Sequence, residues 1–349
     1  MRKTSVLPDN EFMLLTGAGD IFSHLIHDLH HAHCSIDMEF YIFEGDRLGL
    51  SIINILCRKA RSGLRVRMLI DGFGSRHLSA SLRRHIRACG VSLNIYNRIS
   101  HRRLHRKLVI IDNHITYVGG ANIAERYVVG NHLGPWHDAQ LRIVGRECLP
   151  FVELFECDLQ SPSTADDNIS TRGHKLHLYH STCHNRDDSI ATAFEHSISL
   201  ARHTLQICTP YFIPPTGLIQ RLGECATRGV EIKLYLPERC GIAIIDAIVR
   251  HHAIKAATAG VKVFLCHNLF PHAKLIVADH HHTLVGSANL DFRSLRYNSE
   301  VMVGIGHRSV AKAAERLFFQ LDKAAVPLAQ YNEYKYLPHS VSRLLGSLF

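Results

Sequence analysis

At 349 residues, with 46% hydrophobic and 20% charged positions, the chain has the make-up of a globular protein of about two domains. Its formal charge of +9, before any histidine contributes, suggests an anionic partner: nucleic acid, an anionic membrane or a phosphate-bearing lipid. No segment reaches the ~20 uncharged apolar residues of a membrane-spanning helix, and residues 1–10 lack the apolar run of a signal peptide. Work on lipid would then be done from the membrane surface.

In chain order, Ile21 to Leu29 has helical periodicity, and Ser35 to Phe43 reads as a strand. A helix from Leu48 to Ser62 stops at Gly63, and the alternating strand Arg65 to Ile70 leads to Asp71-Gly72. The second half repeats this plan: a helix near Ile190 to Ala201, a strand-like run Thr204 to Pro214, and a helix Gly217 to Arg228 stopped by Gly229. The strand Val230 to Leu236 follows, then a helix Ile242 to Ala259 capped by Gly260. The polar stretch Ser161 to Asn168 reads as a linker. The expected division is a first lobe over 1–160, a linker over 161–172 and a second lobe over 173–349. A packing helix over Ser309 to Asp322 and a C-terminal tail close the second lobe. Helix–strand alternation of this kind predicts an α/β protein with helices flanking a sheet.

The repeat carries chemistry. The first copy is His105-Arg106-Lys107, four apolar residues, Asp112, six residues, then Gly119-Gly120-Ala121-Asn122. The second is His272-Ala273-Lys274, four residues, Asp279, six residues, then Gly286-Ser287-Ala288-Asn289. On a strand, residues two apart face the same side, so each His and Lys should point into one site. Leu108 to Ile111 and Leu275 to Ala278 read as strands buried on both faces. The strands Thr116 to Val118 and Thr283 to Val285 should return the glycine-rich turn beside the His and Lys. The small residues there, Gly120 and Ser287 among them, would let backbone N–H groups approach phosphate oxygens.

Two His–Lys pairs suit double displacement at a phosphodiester: one imidazole attacks phosphorus and the other protonates the leaving alcohol. Lys107 and Lys274 would neutralise the phosphate, with Asn122 and Asn289 donating further hydrogen bonds. Each imidazole needs an acid to fix its tautomer. Asp138 and Glu300, at corresponding places after the two motifs, are the candidates, one for each copy. Asp112 and Asp279 stand with the catalytic set, or serve as turn anchors.

The paired HxKxxxxDxxxxxxGGxN and HxKxxxxDxxxxxxGSxN patterns resemble the phospholipase D superfamily. Tyr41 to Asp46, Trp136-His137-Asp138, Thr209 to Pro214 and Asn289 to Ser294 are similar to the bacterial cardiolipin synthases within it. The resemblance implies two α/β/α lobes related by pseudo-twofold symmetry, mixed sheets flanked by helices, and an active site between the lobes. It implies a phosphatidyl-histidine intermediate on His105, with His272 as acid then base, and neither metal nor cofactor. The implied reaction moves a phosphatidyl group from one phosphatidylglycerol to another, with water or another alcohol as other possible acceptors. The implied setting is cytoplasmic, peripheral on the inner face of a bacterial membrane.

The rival readings are a phospholipase D hydrolase and a nucleic-acid phosphodiesterase. The basic cluster Arg98, His101, Arg102, Arg103 and Arg106 could face DNA or anionic head groups. The chain lacks an array of stacking aromatics interleaved with basic residues, which makes nucleic acid the lesser reading. The ten cysteines show no CxxC pair or metal-ligand spacing and read as buried, reduced thiols of a cytosolic protein. Histidine runs such as His280-His281-His282 have poor ligand geometry, because adjacent side chains on a strand point apart. The sequence leaves the oligomeric state open.

Overall fold

The computed structural model describes residues 11–96, 102–159, 175–182 and 188–330. The expected linker, the far C-terminal tail, Arg98 and His101 lie outside these residues.

The first half holds strands β1 (Glu11–Thr16), β2 (Ser35–Phe40), β3 (Arg65–Asp71), β4 (Ser92–Tyr96), β5 (Lys107–Ile111), β6 (Ile115–Gly119), β7 (Trp136–His137) and β8 (Ala139–Val144). Its helices are α1 (Ala18–His30), α2 (Arg47–Arg61), α3 (Ala80–Ala88), α4 (Arg126–Val129) and α5 (Leu149–Leu159). The second half holds β9 (Leu176–Ser181), β10 (Thr204–Cys208), β11 (Phe212–Ile213), β12 (Glu231–Pro237), β13 (Lys262–Cys266) and β14 (Phe270–Pro271). It continues with β15 (Leu275–Ala278), β16 (His282–Gly286), β17 (Leu290–Asp291), β18 (Glu300–Gly306) and β19 (Ala325–Pro327). Its helices are α6 (Ser189–Leu200), α7 (Thr216–Thr227), α8 (Ala243–Thr258), α9 (Phe292–Arg296) and α10 (Arg308–Ala324).

The duplication read from the motifs extends to the sheets. One sheet runs β1-β8-β6-β5-β2-β3-β4, and the other runs β9-β18-β16-β15-β10-β12-β13 with β19 added at its edge. Both are mixed: β2 and β3 pair in parallel, as do β10 and β12, while β5 and β15 run antiparallel to β2 and β10. The expected α/β architecture of two similar lobes is the one observed.

Two cores lie outside and one between. Side chains such as Ile36, Met38 and Val109 pack with α1 and α2 residues on one face of the first sheet. Ile207, Leu234 and Ile276 do the same for the second with α6, α7 and α8. The inner faces share a single cluster in which Leu108, Leu141 and Phe155 meet Leu275, Val303 and Phe318. Because the apolar surface between the halves is continuous, separating them would expose core on both sides. The period-2 pattern explains the sorting: along β5 alternate residues, Leu108 and Ile110 against Val109 and Ile111, enter different cores.

The β5–β6 hairpin turns through Asp112 and Asn113, both left-handed at φ 53 and 52. The β15–β16 hairpin turns through Asp279 and His280 at φ 50 and 57. Two consecutive positive φ values are what a tight type I′ hairpin requires, and Asp and Asn tolerate them. Among the described residues no helix is long and apolar enough to cross a membrane.

Candidate active site

Both His-x-Lys segments enter their strands from the interface between the lobes. Each is held by backbone bonds to the other lobe. His105 N–H donates to Ser299 O at 3.0 Å, and Ser299 N–H to Arg103 O at 2.8 Å. In the second copy, His272 and Ala273 N–H both donate to His137 O, at 2.8 and 3.0 Å, beside the parallel pairing of β14 with β7. The residue after each clamp is an acid: Glu300 after Ser299, Asp138 after His137.

That cross-lobe pairing decides which acid meets which imidazole. His105 Nδ1 lies 2.8 Å from Glu300 Oε1, and His272 Nδ1 lies 2.6 Å from Asp138 Oδ2. Sequence position had placed each acid with its own copy of the motif; the structure exchanges them. With Nδ1 bound to a carboxylate in each case, Nε2 is the nitrogen left for chemistry.

The lysines are buried, at 0% exposure for Lys107 and 2% for Lys274. Lys107 Nζ donates to His105 O, and Lys274 Nζ donates to His272 O and lies 3.1 Å from His272 Nε2. Burial, joined by the Lys274 charge, lowers Lys107 to about 7, and burial lowers Lys274 to about 8 against the pull of Asp138. Burial holds His105 below its ordinary value against the pull of Glu300, and burial with the Lys274 charge pushes His272 down to about 3. Burial alone would raise Glu300, but His105, Lys107 and the Ser287 hydroxyl outweigh it and hold the carboxyl at about 2. Asp138 is likewise held below its ordinary value, by His272 and Lys274 against burial. The site therefore combines neutral imidazoles, ionised carboxylates and two lysines whose charge an anionic ligand would reinforce.

Aromatic rings wall both imidazoles. The Tyr41 ring lies 4.9 Å from His105, and Trp136 and Tyr127 lie 4.8 and 5.3 Å from His272. A cavity of about 410 Å³ opens beside His105. Ile213, Ile242, Ile245, Ile248 and Phe292 line it with Arg103, Arg293 and Asn289.

Several expected roles change. Gly120 and Ser287 do not offer free N–H groups: these donate to Ala139 O at 3.1 Å and Val301 O at 2.8 Å, continuing the sheets. Gly120 is needed for space, since a Cβ there would stand 2.2 Å from Asp138 Oδ1. Ser287 uses its hydroxyl instead, donating to Glu300 Oε2. The short Asp138 thus passes over a glycine, and the longer Glu300 is held by a serine.

Asn122 is committed internally, accepting from Ile42 N–H at 3.0 Å and donating to the Tyr127 hydroxyl. Asn289 lines the cavity, and its buried Oδ1 has no hydrogen-bond partner among the described residues. Asp112 and Asp279 sit at the far ends of β5 and β15 from the lysines. Asp112 accepts from the N–H groups of His33, Cys34 and Ser35, and Asp279 from those of Arg202, His203 and Thr204, at 2.7–2.9 Å. Of the two roles open to them, the contacts are those of turn anchors.

Arg106, grouped by sequence with a basic surface cluster, is fully buried. It donates to Glu300 O at 3.1 Å and Ser181 O at 2.6 Å, and pairs with Asp158. It is a strut between the lobes that holds the backbone of the acid facing His105. The second copy has Ala273 at this place, so the strut breaks the symmetry.

Known proteins are similar to this chain. A family model described as cardiolipin synthase, phospholipase D-like domain, matches residues 25–132 and 194–321. A cardiolipin synthase of Listeria monocytogenes is 31% identical over 332 residues, covering 89% of this chain and 69% of that protein. The major cardiolipin synthase of Bacillus subtilis is 30% identical over 97% of this chain and 76% of its own length. Among solved structures, the phosphatidylserine synthase of Haemophilus influenzae superposes with a TM-score of 0.75 at 16% identity, over 97% of this chain and 92% of that one. Its likeness shows the shared fold. With the family model spanning both motif copies, and with relatives of this identity over most of its length, the chain belongs to the cardiolipin synthase family of phospholipase D-like proteins.

Proposed function

We propose that the protein is a phosphatidyl transferase that joins two phosphatidylglycerol molecules into cardiolipin, releasing glycerol. The observation that carries this reading is the crossed pairing: two imidazoles, each fixed by the other lobe's carboxylate, flank one site holding two buried lysines.

The steps follow from the free nitrogens. His105 Nε2 attacks phosphorus, an N–P bond forms, and the P–O bond to the first glycerol breaks. His272, protonated on Nε2 once the anionic phosphate is bound beside it, supplies that proton to the departing oxygen. The incoming phosphatidylglycerol hydroxyl then gives its proton to His272, its oxygen attacks phosphorus, and the N–P bond breaks. Lys107 and Lys274 neutralise the phosphate throughout. The assignment of attack to His105 rests on family likeness and on its position at the open cavity. Carboxylates, imidazoles and lysines supply every proton and charge these steps require, and we propose that no metal takes part in them.

The cavity fits a lipid. Its isoleucines and Phe292 give an apolar wall for acyl chain, and Arg103 and Arg293 give cations for a head group. At the rim, Phe73 is 53% exposed and lies under the Arg103 guanidinium at 4.5 Å, while Ile242 and Ile244 are 55% and 45% exposed. An apolar rim with basic residues is suited to an anionic membrane surface, so the proposed association is peripheral.

Vesicles of phosphatidylglycerol, analysed by lipid mass spectrometry, test the proposal. Cardiolipin and glycerol in equal amounts are expected. Phosphatidic acid alone would make the protein a hydrolase, and single-stranded DNA cleavage without lipid product would overturn the lipid reading.

A further inference from the structure

On the outer helical layer of the first lobe, away from the imidazoles, three metal-ligating side chains converge. Cys57 comes from α2, His85 from α3, and Cys89 is the residue that caps α3. Their ligand atoms all lie within 4.8 Å of one another. Cys89 Sγ is 3.7 Å from His85 Nε2, and the Cys57 and Cys89 thiols are within hydrogen-bonding reach.

The 3.7 Å between Cys89 Sγ and His85 Nε2, with the other separations inside 4.8 Å, fits a tetrahedral site. Bonds of about 2.3 Å to sulfur and about 2.0 Å to nitrogen, at tetrahedral angles, put two sulfurs about 3.8 Å apart and sulfur and nitrogen about 3.6 Å apart. His85 and Cys89 are one helical turn apart, so both project from the same face of α3 toward Cys57. Cys57 and Cys89 are buried and His85 is exposed, which leaves a fourth position open toward solvent. Arg61, one turn beyond Cys57, donates from Nη2 to Cys89 Sγ at 3.0 Å. A guanidinium there stabilises a thiolate and would serve as the outer hydrogen-bond donor that tunes a bound sulfur.

We propose that Cys57, His85 and Cys89 bind one zinc ion, with water as fourth ligand, and that this ion ties α2 to α3. Two soft thiolates and an imidazole are a zinc donor set, whereas magnesium and calcium require oxygen. Binding releases two thiol protons to solvent and leaves a neutral zinc dithiolate beside the Arg61 cation. None of the three residues lines the catalytic cavity, so the ion stabilises the fold and takes no part in phosphoryl chemistry.

The test uses the full chain, purified under reducing conditions, loaded with zinc and then gel-filtered. Elemental mass spectrometry should find about one zinc per chain. Cys57→Ser/Cys89→Ser should fall to below about a tenth of that, with lipid turnover retained. His85→Ala alters only an exposed ligand and so leaves the core intact; it should weaken zinc binding by more than the ~10-fold that loss of an outer hydrogen-bond partner costs. Cobalt added in place of zinc should give thiolate charge-transfer absorbance in the wild type and none in the double variant. A chelator should lower the wild-type melting temperature but not that of the double variant. Zinc content equal in the wild type, the double variant and His85→Ala would overturn the proposal. So would a Cys57–Cys89 disulfide found by non-reducing peptide mapping of the isolated protein.

Discussion

His105 and Glu300 are 195 residues apart in sequence and face each other at 2.8 Å, Nδ1 to Oε1, across the interface between the lobes. The reciprocal pair, His272 with Asp138, spans 134 residues. Neither lobe alone holds an oriented imidazole. Glu300→Gln and Asp138→Asn should each lower kcat by about 10²–10⁴-fold with little change in KM, because they disturb the base or acid and leave the lysines in place. A steady-state comparison of the two variants on phosphatidylglycerol vesicles checks this. A loss expressed mainly in KM would place the acids in binding.

The pH profile follows from burial. His105 is held below its ordinary value, so its neutral form persists to lower pH than a free histidine would allow. The acid limb of kcat/KM should therefore fall below about 6.5. Lys107, at about 7, and Lys274, at about 8, are charged below those values and neutral above them. KM for an anionic lipid should then rise as pH climbs from 7 to 9. An acid limb above 6.5, or a KM that falls with rising pH, would contradict the electrostatics.

Gly120 should be irreplaceable for a spatial reason. A Cβ would stand 2.2 Å from Asp138 Oδ1, so Gly120→Ala must move the carboxylate that orients His272. The expected result is loss of turnover by 10²-fold or more, on the scale of removing the acid itself. Gly217→Ala is the control, since a Cβ there meets nothing within 4 Å. It should keep wild-type activity, with stability unchanged or raised by about 0.4–1 kcal/mol.

Asp112→Ala and Asp279→Ala should act on stability. Each removes an acceptor of three backbone N–H groups at a hairpin. A loss of about 1–3 kcal/mol is expected, with turnover per folded molecule near wild type. Denaturant titration combined with active-site-normalised rates separates the effects. A rate loss in a fully folded Asp112→Ala protein would return the residue to the chemistry.

Arg106→Ala should be among the most damaging substitutions outside the His–Lys pairs. It leaves Asp158 and the buried Glu39 without their guanidinium partner and frees the backbone of Glu300. Breaking a buried pair in this way costs about 3–5 kcal/mol. Thermal unfolding of Arg106→Ala and Arg106→Lys checks it; the lysine cannot reproduce the fork of donors and should recover only part of the loss.

Much of this was legible in the sequence. The strand–helix alternation and the identical motif spacing marked the inner strands of both sheets, because hydrophobic period and hairpin chemistry are local, while the outer strands β1, β4, β9, β13 and β19 were not read. Helix α3 was missed: its turns are polar and bury only Ile86, so no apolar stripe announced it. Asp138 and Glu300 stood out by position, but their partners are fixed by cross-lobe strand pairing, which leaves no mark on local spacing. Arg106 read as surface charge because its acceptors, Ser181 O and Glu300 O, are distant in the chain. The Cys57–His85–Cys89 cluster was hidden for the same reason, with ligands split between two helices.

The most direct measurement is to trap the covalent intermediate. His272→Asn, mixed with labelled phosphatidylglycerol and quenched, should retain one phosphatidyl group per chain, mapped by peptide mass spectrometry to His105. An adduct found on His272 in a His105→Asn protein, with none on His105 in the His272→Asn protein, would reverse the roles. Absence of any adduct in either variant, with turnover intact in one of them, would contradict two-imidazole transfer altogether.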